Sequence, residues 1–229
     1  MSQKKPILFN TEMTQATLDR RKKATRRVVK GIPNDADFQG FYVDAYGRAV
    51  ARFVLPDGTD IYIHPLCETG DILYVRETWA NEGDSLIYRA DADKHGSAAY
   101  YREHGGTPAQ DSGKWHPSIH MPKEAARIFL RVTNVRVERV QDITEDGMIA
   151  EGTRDGDKYL VKSPEDPYPE WDDRYRGWIG WNRACFEALW NSTLKEKQTG
   201  PLSPYRFCFN PWVWVYELER VEKPVELSE

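Results

Sequence analysis

Residues 70–79 read Gly-Asp-Ile-Leu-Tyr-Val-Arg-Glu-Thr-Trp, and this stretch decides the fold class of the chain. Its centre, 72–75, is a run of apolar and β-prone residues that follows a turn signal, which predicts a buried strand. The polar residues Arg76 and Glu77 follow at once, and an aromatic residue, Trp79, comes soon after. Because polar side chains at the end of a strand often line a site, this stretch predicts both a strand and a functional edge.

Further strand signals lie on both sides of this stretch. They fall at 6–9, 41–44, 49–55, 61–63, 86–88, 127–140 and 212–218. Helical patterns are fewer and fall at 13–20, where Asn10 or Thr11 can cap the helix, and at 142–152 and 178–194. The last helix carries apolar residues at helical spacing, which we interpret as core: Trp178, Trp181, Cys185, Leu189 and Trp190. Many short strands with few helices predict an α+β fold, built as a small mixed or closed β-barrel with flanking helices.

Length and composition favour a single folded domain. The chain has 229 residues, and a hydrophobic fraction of 40% is enough for a real core, which excludes global disorder. Two polar stretches that carry glycine or proline, at 91–114 and 154–176, are predicted to be long loop insertions in this domain of residues 1–229.

The charge and the cysteines exclude several classes of function. A net charge of -4 argues against a generic polyanion binder, so any contact with nucleic acid must come from a local patch such as 20–27. The three cysteines, Cys67, Cys185 and Cys208, form no CxxC pair, which argues against a structural zinc site. Their odd number, with no apolar leader or membrane-spanning run, predicts a cytoplasmic protein without membrane contact.

The stretch Lys22-Lys23-Ala24-Thr25-Arg26-Arg27 holds the strongest candidate chemistry. Lys22 and Thr25 are three residues apart, which places both side chains on one side of a helical turn or a tight loop. A lysine beside a threonine hydroxyl can be a base beside a nucleophile, provided that the lysine pKa falls well below about 10.4. The same stretch can instead bind phosphate, or be a solvated cationic helix end that complements the helix dipole.

Two further segments carry candidate polar groups. Glu151 falls in the last turn of the helix predicted to begin near 142–145 and to stop at Gly152. The helix dipole does not favour an anion there, so this acid is either exposed or held by a cation. The segment 115–122 carries two histidines, His116 and His120, together with two prolines, which is typical of a stiff surface loop.

Six segments together resemble the ASCH-domain family of the PUA-like superfamily, and in particular its larger phage and prophage members. They are 6–9, 21–27, 70–79, 117–122, 142–152 and 210–215, and they run in family order over nearly the whole chain. The resemblance implies a PUA-like β-barrel, which agrees with the many short strands.

The resemblance also implies an activity. Small bacterial members of the family are amidohydrolases that remove the acetyl group from N4-acetylcytidine, with chemistry attributed to a G-x-K-x-x-T-x-R motif and a later glutamate. Lys22, Thr25 and Arg27 match the lysine, threonine and arginine of that motif, while Arg20 stands at its glycine. The family glutamate corresponds to Glu151, and the nearby Glu145 is the alternative candidate for the same position.

On this basis we expect an amidohydrolase with a small nucleoside substrate, no cofactor and no metal. The residues expected to hold the base or ribose are Tyr74, Arg76, Glu77, Trp79 and His120. A PUA-like module that binds RNA or a modified base without turnover is the alternative, and a nuclease that uses the same basic patch is a third. The small enzymes lack the two insertions. In this chain the insertions would cap the pocket, change the substrate or bind a partner.

Overall fold

The structure is a computed structural model. It describes residues 3–82, 85–94, 115–153, 181–194 and 203–224. Most of the predicted insertion at 91–114, all of the one at 154–176, and Trp178 lie outside the described residues. The beginning of the first predicted insertion, up to Lys94, is helical rather than loop.

The chain divides into two compact units. The first unit consists of Met1–Lys23, Thr69–Thr133 and Leu218–Glu229, and the second of Ala24–Glu68 and Asn134–Glu217.

The described residues form helices and several sheets, so the predicted α+β class is confirmed. The helices are α1 (Thr11–Leu18), α2 (Arg89–Lys94), α3 (Glu145–Ala150) and α4 (Trp181–Ser192). The strands are β1 (Lys4–Leu8), β2 (Ala24–Val28), β3 (Asp37–Val43), β4 (Ala49–Val54), β5 (Asp60–Ile63), β6 (Ile72–Arg76), β7 (Trp79–Glu82), β8 (Ser85–Tyr88), β9 (Phe129–Arg139) and β10 (Trp212–Val221). None of the sheets formed by the described residues closes into a barrel, which differs from the predicted barrel.

In the first unit, β6 is the central strand of the order β1-β6-β9. It runs parallel to β1, with Tyr74 opposite Pro6, and antiparallel to β9, with Tyr74 opposite Phe129. Strands with neighbours on both sides and cover on both faces read as continuous apolar runs, which is the pattern of 72–75. Tyr74 and Phe129 pack with the buried Met121 in the core of this unit.

The start of the first unit shows why α1 begins where it does. Asn10 caps the helix, because its side-chain oxygen accepts a hydrogen bond from the Met13 N–H at 2.8 Å. The sequence allowed either Asn10 or Thr11 as the cap, and the structure selects Asn10.

Strands β7 and β8 form a separate antiparallel pair, in which Trp79 lies opposite Tyr88.

In the second unit, β2 is antiparallel to β10, with Thr25 opposite Tyr216. The sequence predicts a helix end or a loop at 22–27. This prediction is wrong for 24–27, which belong to β2. The physical reason is tertiary: β10 is a long apolar strand that offers backbone hydrogen bonds along its length, and the short β2 segment satisfies them.

The remainder of the second unit contains a three-stranded antiparallel sheet, β3-β4-β5, and a helical core. The predicted helix 178–194 is observed as α4, whose Phe186 and Trp190 are buried against Phe207 and Val213. Cys185 is also buried and Leu189 is half-buried, so the interpretation of this stripe as core rather than as a stacking surface is confirmed for Cys185 and Trp190. No helix in the described part of the chain combines the length and the apolar character needed to cross a membrane.

Candidate active site

Strand β2 places Thr25 and Arg27 on one face, because side chains two residues apart on a strand point the same way. The Thr25 side chain is fully buried, and its Oγ1 accepts a hydrogen bond from Arg27 Nη1 at 2.8 Å. Arg27 Nη1 also donates to the backbone oxygen of Arg26 at 2.9 Å. The threonine hydroxyl of the motif is therefore held directly by the arginine of the motif.

Tyr216 on β10 lies opposite Thr25 in the strand pairing and is buried. Its hydroxyl oxygen accepts a hydrogen bond from the Leu66 N–H at 3.0 Å. Burial raises the pKa of Tyr216, and the nearby positive charge of Arg27 opposes that rise. This phenol is therefore a neutral group at physiological pH and adds no charge beside Thr25.

The opposite face of β2 carries Arg26, which is buried between two carboxylates. Arg26 Nη2 lies 2.7 Å from Glu138 Oε1, and Arg26 Nη1 lies 3.1 Å from Glu151 Oε1. The guanidinium carbon also lies 5.9 Å from the centre of the Phe186 ring. Because a buried charge must be paired, this cluster fixes the position of the Glu151 carboxylate.

The helix that carries Glu151 is positioned by its own caps. Thr144 accepts a hydrogen bond from the Gly147 N–H at 3.1 Å, and Gly152 has a φ of 99°, the left-handed conformation typical of a helix stop. Glu151 is the C-cap residue and is 4% exposed, whereas Glu145 in the first turn is exposed. Of the two alternatives left for Glu151, the acid is held by a cation rather than exposed.

The charge of Glu151 also acts on Arg27. Burial lowers the pKa of the Arg27 guanidinium, and the negative charge of Glu151 raises it in opposition. Within the second unit, Thr25 and Arg27 thus lie in contact on one face of β2, whereas the buried Glu151 pairs with Arg26 on the opposite face and acts on Arg27 through its charge.

Lys22 belongs to the first unit and follows α1. In the sequence, one residue separates it from β2. It is 4% exposed, its N–H donates to the Ala16 oxygen at 3.0 Å, and its Nζ lies 5.3 Å from the centre of the Phe9 ring. Arg20, which stands at the glycine of the family motif, has a φ of 60°. The turn therefore adopts the left-handed backbone that favours glycine, although the residue here is arginine.

These positions correct the simplest interpretation of the cationic stretch. A solvated helix end requires exposed cations, yet Lys22 and Arg26 are both buried, and only Lys23 among the lysines of the stretch is exposed. The sequence also predicts, from a spacing of three, that Lys22 and Thr25 share one side of a helical turn. This prediction is wrong, because Thr25 lies on a strand.

The segment that follows β6 contains Glu77, which was expected to contact the substrate. Glu77 is 1% exposed, and both of its carboxylate oxygens accept hydrogen bonds from Arg127, at 2.9 and 3.0 Å. Arg127 also bonds both oxygens of Asp91 and lies 3.9 Å from the centre of the Tyr88 ring. Glu77 thus belongs to an ion cluster that stabilises the first unit.

Of the other candidates of the first unit, Arg76 and Trp79 pack against the core cluster that contains Tyr74, and His120 does not. Tyr74 is buried, Arg76 stacks on its ring, and Arg76 Nη1 donates to the Ile119 oxygen at 3.2 Å. The Trp79 ring packs on His116 with 4.8 Å between ring centres, whereas His120 is exposed.

Several residues of these clusters were not singled out from the sequence. Glu138 and Tyr216 lie far along the chain from Thr25, and no local pattern links them to it. The partners of Glu77, which are Arg127 and Asp91, were likewise read as strand and loop. The sequence signal that was available is an acid within an apolar strand, as at Glu138. Such an acid indicates a paired charge, since a charge on a buried face needs a partner.

Among the described residues, no group of three or more histidines, cysteines, aspartates or glutamates is arranged to hold a metal ion. Comparison of the chain with protein-family models, with curated proteins and with solved structures found no match.

Proposed function

We propose that the chain is an amidohydrolase that removes acyl groups from N4-acylated cytosine nucleosides, converting N4-acetylcytidine to cytidine. The observation that carries the proposal is the fully buried Thr25 hydroxyl, which accepts a hydrogen bond from Arg27 in the same unit as the buried Glu151. A phosphate-binding patch needs the cations but has no use for a buried hydroxyl and a buried acid. Hydrolysis of an amide uses both.

The proposed reaction breaks the bond between the acyl carbon and N4, and water is added across it. In one route Thr25 Oγ1 attacks the acyl carbon, N4 takes a proton and leaves as the amine, and water then hydrolyses the threonine ester. The Arg27 guanidinium favours this route because it stabilises negative charge that develops on Oγ1. In the other route Thr25 orients the attacking water and no ester forms.

Glu151 supplies the proton transfer that either route needs. Its carboxylate takes a proton from the attacking water or, once protonated, gives one to the leaving N4. The ion pair with Arg26 holds this carboxylate in place, so we assign Arg26 a positioning role. Between the two acids of the motif, burial favours Glu151 over the exposed Glu145.

Lys22 enters the proposal through the family motif alone. A lysine acts as a base only in its neutral form, and arginine cannot replace it in that role. Lys22→Arg keeps the charge, so full activity of that variant would reduce Lys22 to an electrostatic group.

The test is a spectrophotometric assay of N4-acetylcytidine conversion to cytidine. Thr25→Val removes the hydroxyl at nearly constant volume and is expected to lower turnover at least about 100-fold, while Thr25→Ser keeps the hydroxyl and keeps measurable turnover. Circular dichroism establishes that each variant is folded. Absence of turnover by the folded wild-type protein would refute the proposal, and equal turnover by Thr25→Val would remove Thr25 from the mechanism.

One observation favours the alternative of RNA or modified-base binding. On one face of the sheet β3-β4-β5, Tyr42 is 44% and Tyr62 is 55% exposed, and the Arg52 guanidinium carbon lies 6.0 Å from the centre of the Tyr42 ring. Exposed aromatic rings beside an arginine can stack on unpaired bases. However, Arg52 is already paired with Asp60 at 2.9 Å, which weakens its attraction for phosphate.

A titration separates this alternative from the enzyme. Acetylated and unacetylated single-stranded RNA are titrated into the wild-type protein and into a Tyr42→Ser/Tyr62→Ser double variant. The binding module predicts loss of RNA affinity in the double variant with no turnover in any protein. The enzyme predicts turnover that the double substitution leaves unchanged.

A further inference from the structure

Several cations of the first unit have a carboxylate partner. Arg127 binds Glu77 and Asp91, Arg89 binds Asp93 at 2.7 Å, and Lys5 binds Asp71 at 2.9 Å. Arg76 and Lys123 differ, since neither forms an ion pair with any carboxylate in the part of the chain that the structure describes. Two uncompensated cations in one unit of an acidic protein form a local positive field.

These two cations lie against the same ring. The Arg76 guanidinium carbon is 5.8 Å and the Lys123 Nζ is 5.9 Å from the centre of the Tyr74 ring. Tyr74 is buried in the core of the unit, so the ring gives both charges a fixed support. Glu124, the neighbour of Lys123 in the sequence, is exposed and makes no ion pair with it.

The guanidinium of Arg76 has one nitrogen with a partner and one nitrogen without. Its Nη1 donates to the Ile119 oxygen, whereas its Nε is buried and has no hydrogen-bond partner among the described residues. The edge formed by Nε and Nη2 is the one through which arginine binds two oxygens of a carboxylate or phosphate at once. An unpartnered buried donor is unfavourable, and an oxygen ligand would relieve that cost.

We infer that Arg76 and Lys123, supported by Tyr74, form a binding site for the phosphate group of a nucleotide or of free phosphate. Phosphate fits better than carboxylate because its charge at neutral pH is close to two, which matches two cations, and it offers at least two oxygens to the arginine. The inference is independent of the amide hydrolysis, because it uses none of the residues that are given a role in that reaction and predicts binding without turnover.

Isothermal titration calorimetry with inorganic phosphate tests the site directly. Arg76→Gln and Lys123→Gln are each expected to weaken phosphate binding at least about tenfold, since each removes a charge-assisted contact. The Lys123 side chain makes no hydrogen bond in the described structure, and its backbone oxygen, which accepts from the Ala126 N–H at 3.0 Å, is kept in the variant, so the replacement leaves the fold intact. Arg131→Gln is the matched control, because Arg131 is exposed and lies 3.7 Å from Glu219, and its affinity should equal that of the wild type.

Parallel titrations with cytidine and cytidine 5′-monophosphate identify the source of the phosphate. Tighter binding of the nucleotide than of inorganic phosphate assigns the site to nucleotides, and the reverse assigns it to free phosphate. The inference is overturned if phosphate does not bind, if it binds all proteins equally, or if Arg76→Gln weakens cytidine as much as the nucleotide. That last result would make Arg76 a contact for the base or ribose.

Discussion

Replacement of Arg127 by methionine tests how much a single cation contributes to the first unit. The guanidinium donates to both oxygens of Glu77, at 2.9 and 3.0 Å, and to both oxygens of Asp91. Methionine preserves most of the apolar stem of the side chain but removes the guanidinium, whose carbon lies 3.9 Å from the centre of the Tyr88 ring, and it provides no charge. The variant therefore leaves the Glu77 carboxylate, which is 1% exposed, without its cation.

The expected loss follows from these contacts. Each charge-assisted hydrogen bond to Glu77 contributes about 1.5–3 kcal/mol, and removing one partner of a buried ion pair typically costs about 3–5 kcal/mol in all. The carboxylate of Asp91 is 27% exposed, so water can replace the arginine there. We therefore expect the free energy of unfolding to fall by about 3–5 kcal/mol at neutral pH.

The loss should depend on pH in a defined direction. Burial raises the pKa of Glu77 above its ordinary value, and Arg127 opposes that rise. For an acid whose pKa is raised in the fold, the stability linked to its protonated form is present below the ordinary glutamate pKa and is lost as pH rises through the folded pKa. Without Arg127 the pKa rises further, so the difference between variant and wild type is large at about pH 7 and small at about pH 4.

Urea unfolding followed by circular dichroism at both pH values measures the difference. Arg131→Met is the control, since its exposed pair with Glu219 is expected to contribute less than about 1 kcal/mol. Adding Glu77→Gln to Arg127→Met should recover most of the lost free energy of unfolding, because an amide carries no charge that would remain buried without a partner. A loss that is the same at both pH values, or that Glu77→Gln does not reduce, would refute the reasoning.

Three further outcomes are expected in the second unit. Gly147→Ala normally stabilises a helix by about 0.5–1 kcal/mol, but here the added Cβ would lie 3.1 Å from Arg26 Nη2, so we expect a loss of about 1–2 kcal/mol in thermal unfolding. Glu151→Gln should lower turnover of N4-acetylcytidine about 100-fold or more, whereas Glu145→Gln, on an exposed residue, should leave it unchanged; the opposite order would exchange their roles. Gly152→Ala should destabilise by about 1 kcal/mol because φ is 99° there, and an unchanged melting temperature would contradict this.

The strands that the sequence predicted well are those with a strong local pattern. The run at 72–75 is apolar on both faces, and it is observed as β6 with neighbours on both sides. The cap at Asn10 and the stop at Gly152 were likewise readable, because capping depends on residues within one turn. Local chemistry alone is sufficient to place such elements.

Strand β2 shows where local pattern fails. Its residues include two arginines and follow a helix, so local propensity favoured a helix end. The pairing with β10 overrides that preference, because backbone hydrogen bonds to a long apolar strand outweigh weak propensities. The burial of Arg26 follows from this pairing and was not visible in the sequence.

The sequence by itself determined the α+β class, most strands, the helix caps and the candidate residues Lys22, Thr25 and Glu151. Only the tertiary structure decided that Thr25 is held by Arg27, that Glu151 is held by Arg26, and that Glu77 is committed to an ion cluster. The physical reason is range: propensities and caps act over a few neighbouring residues, whereas the pairing of a buried charge depends on which distant side chain the fold brings to it.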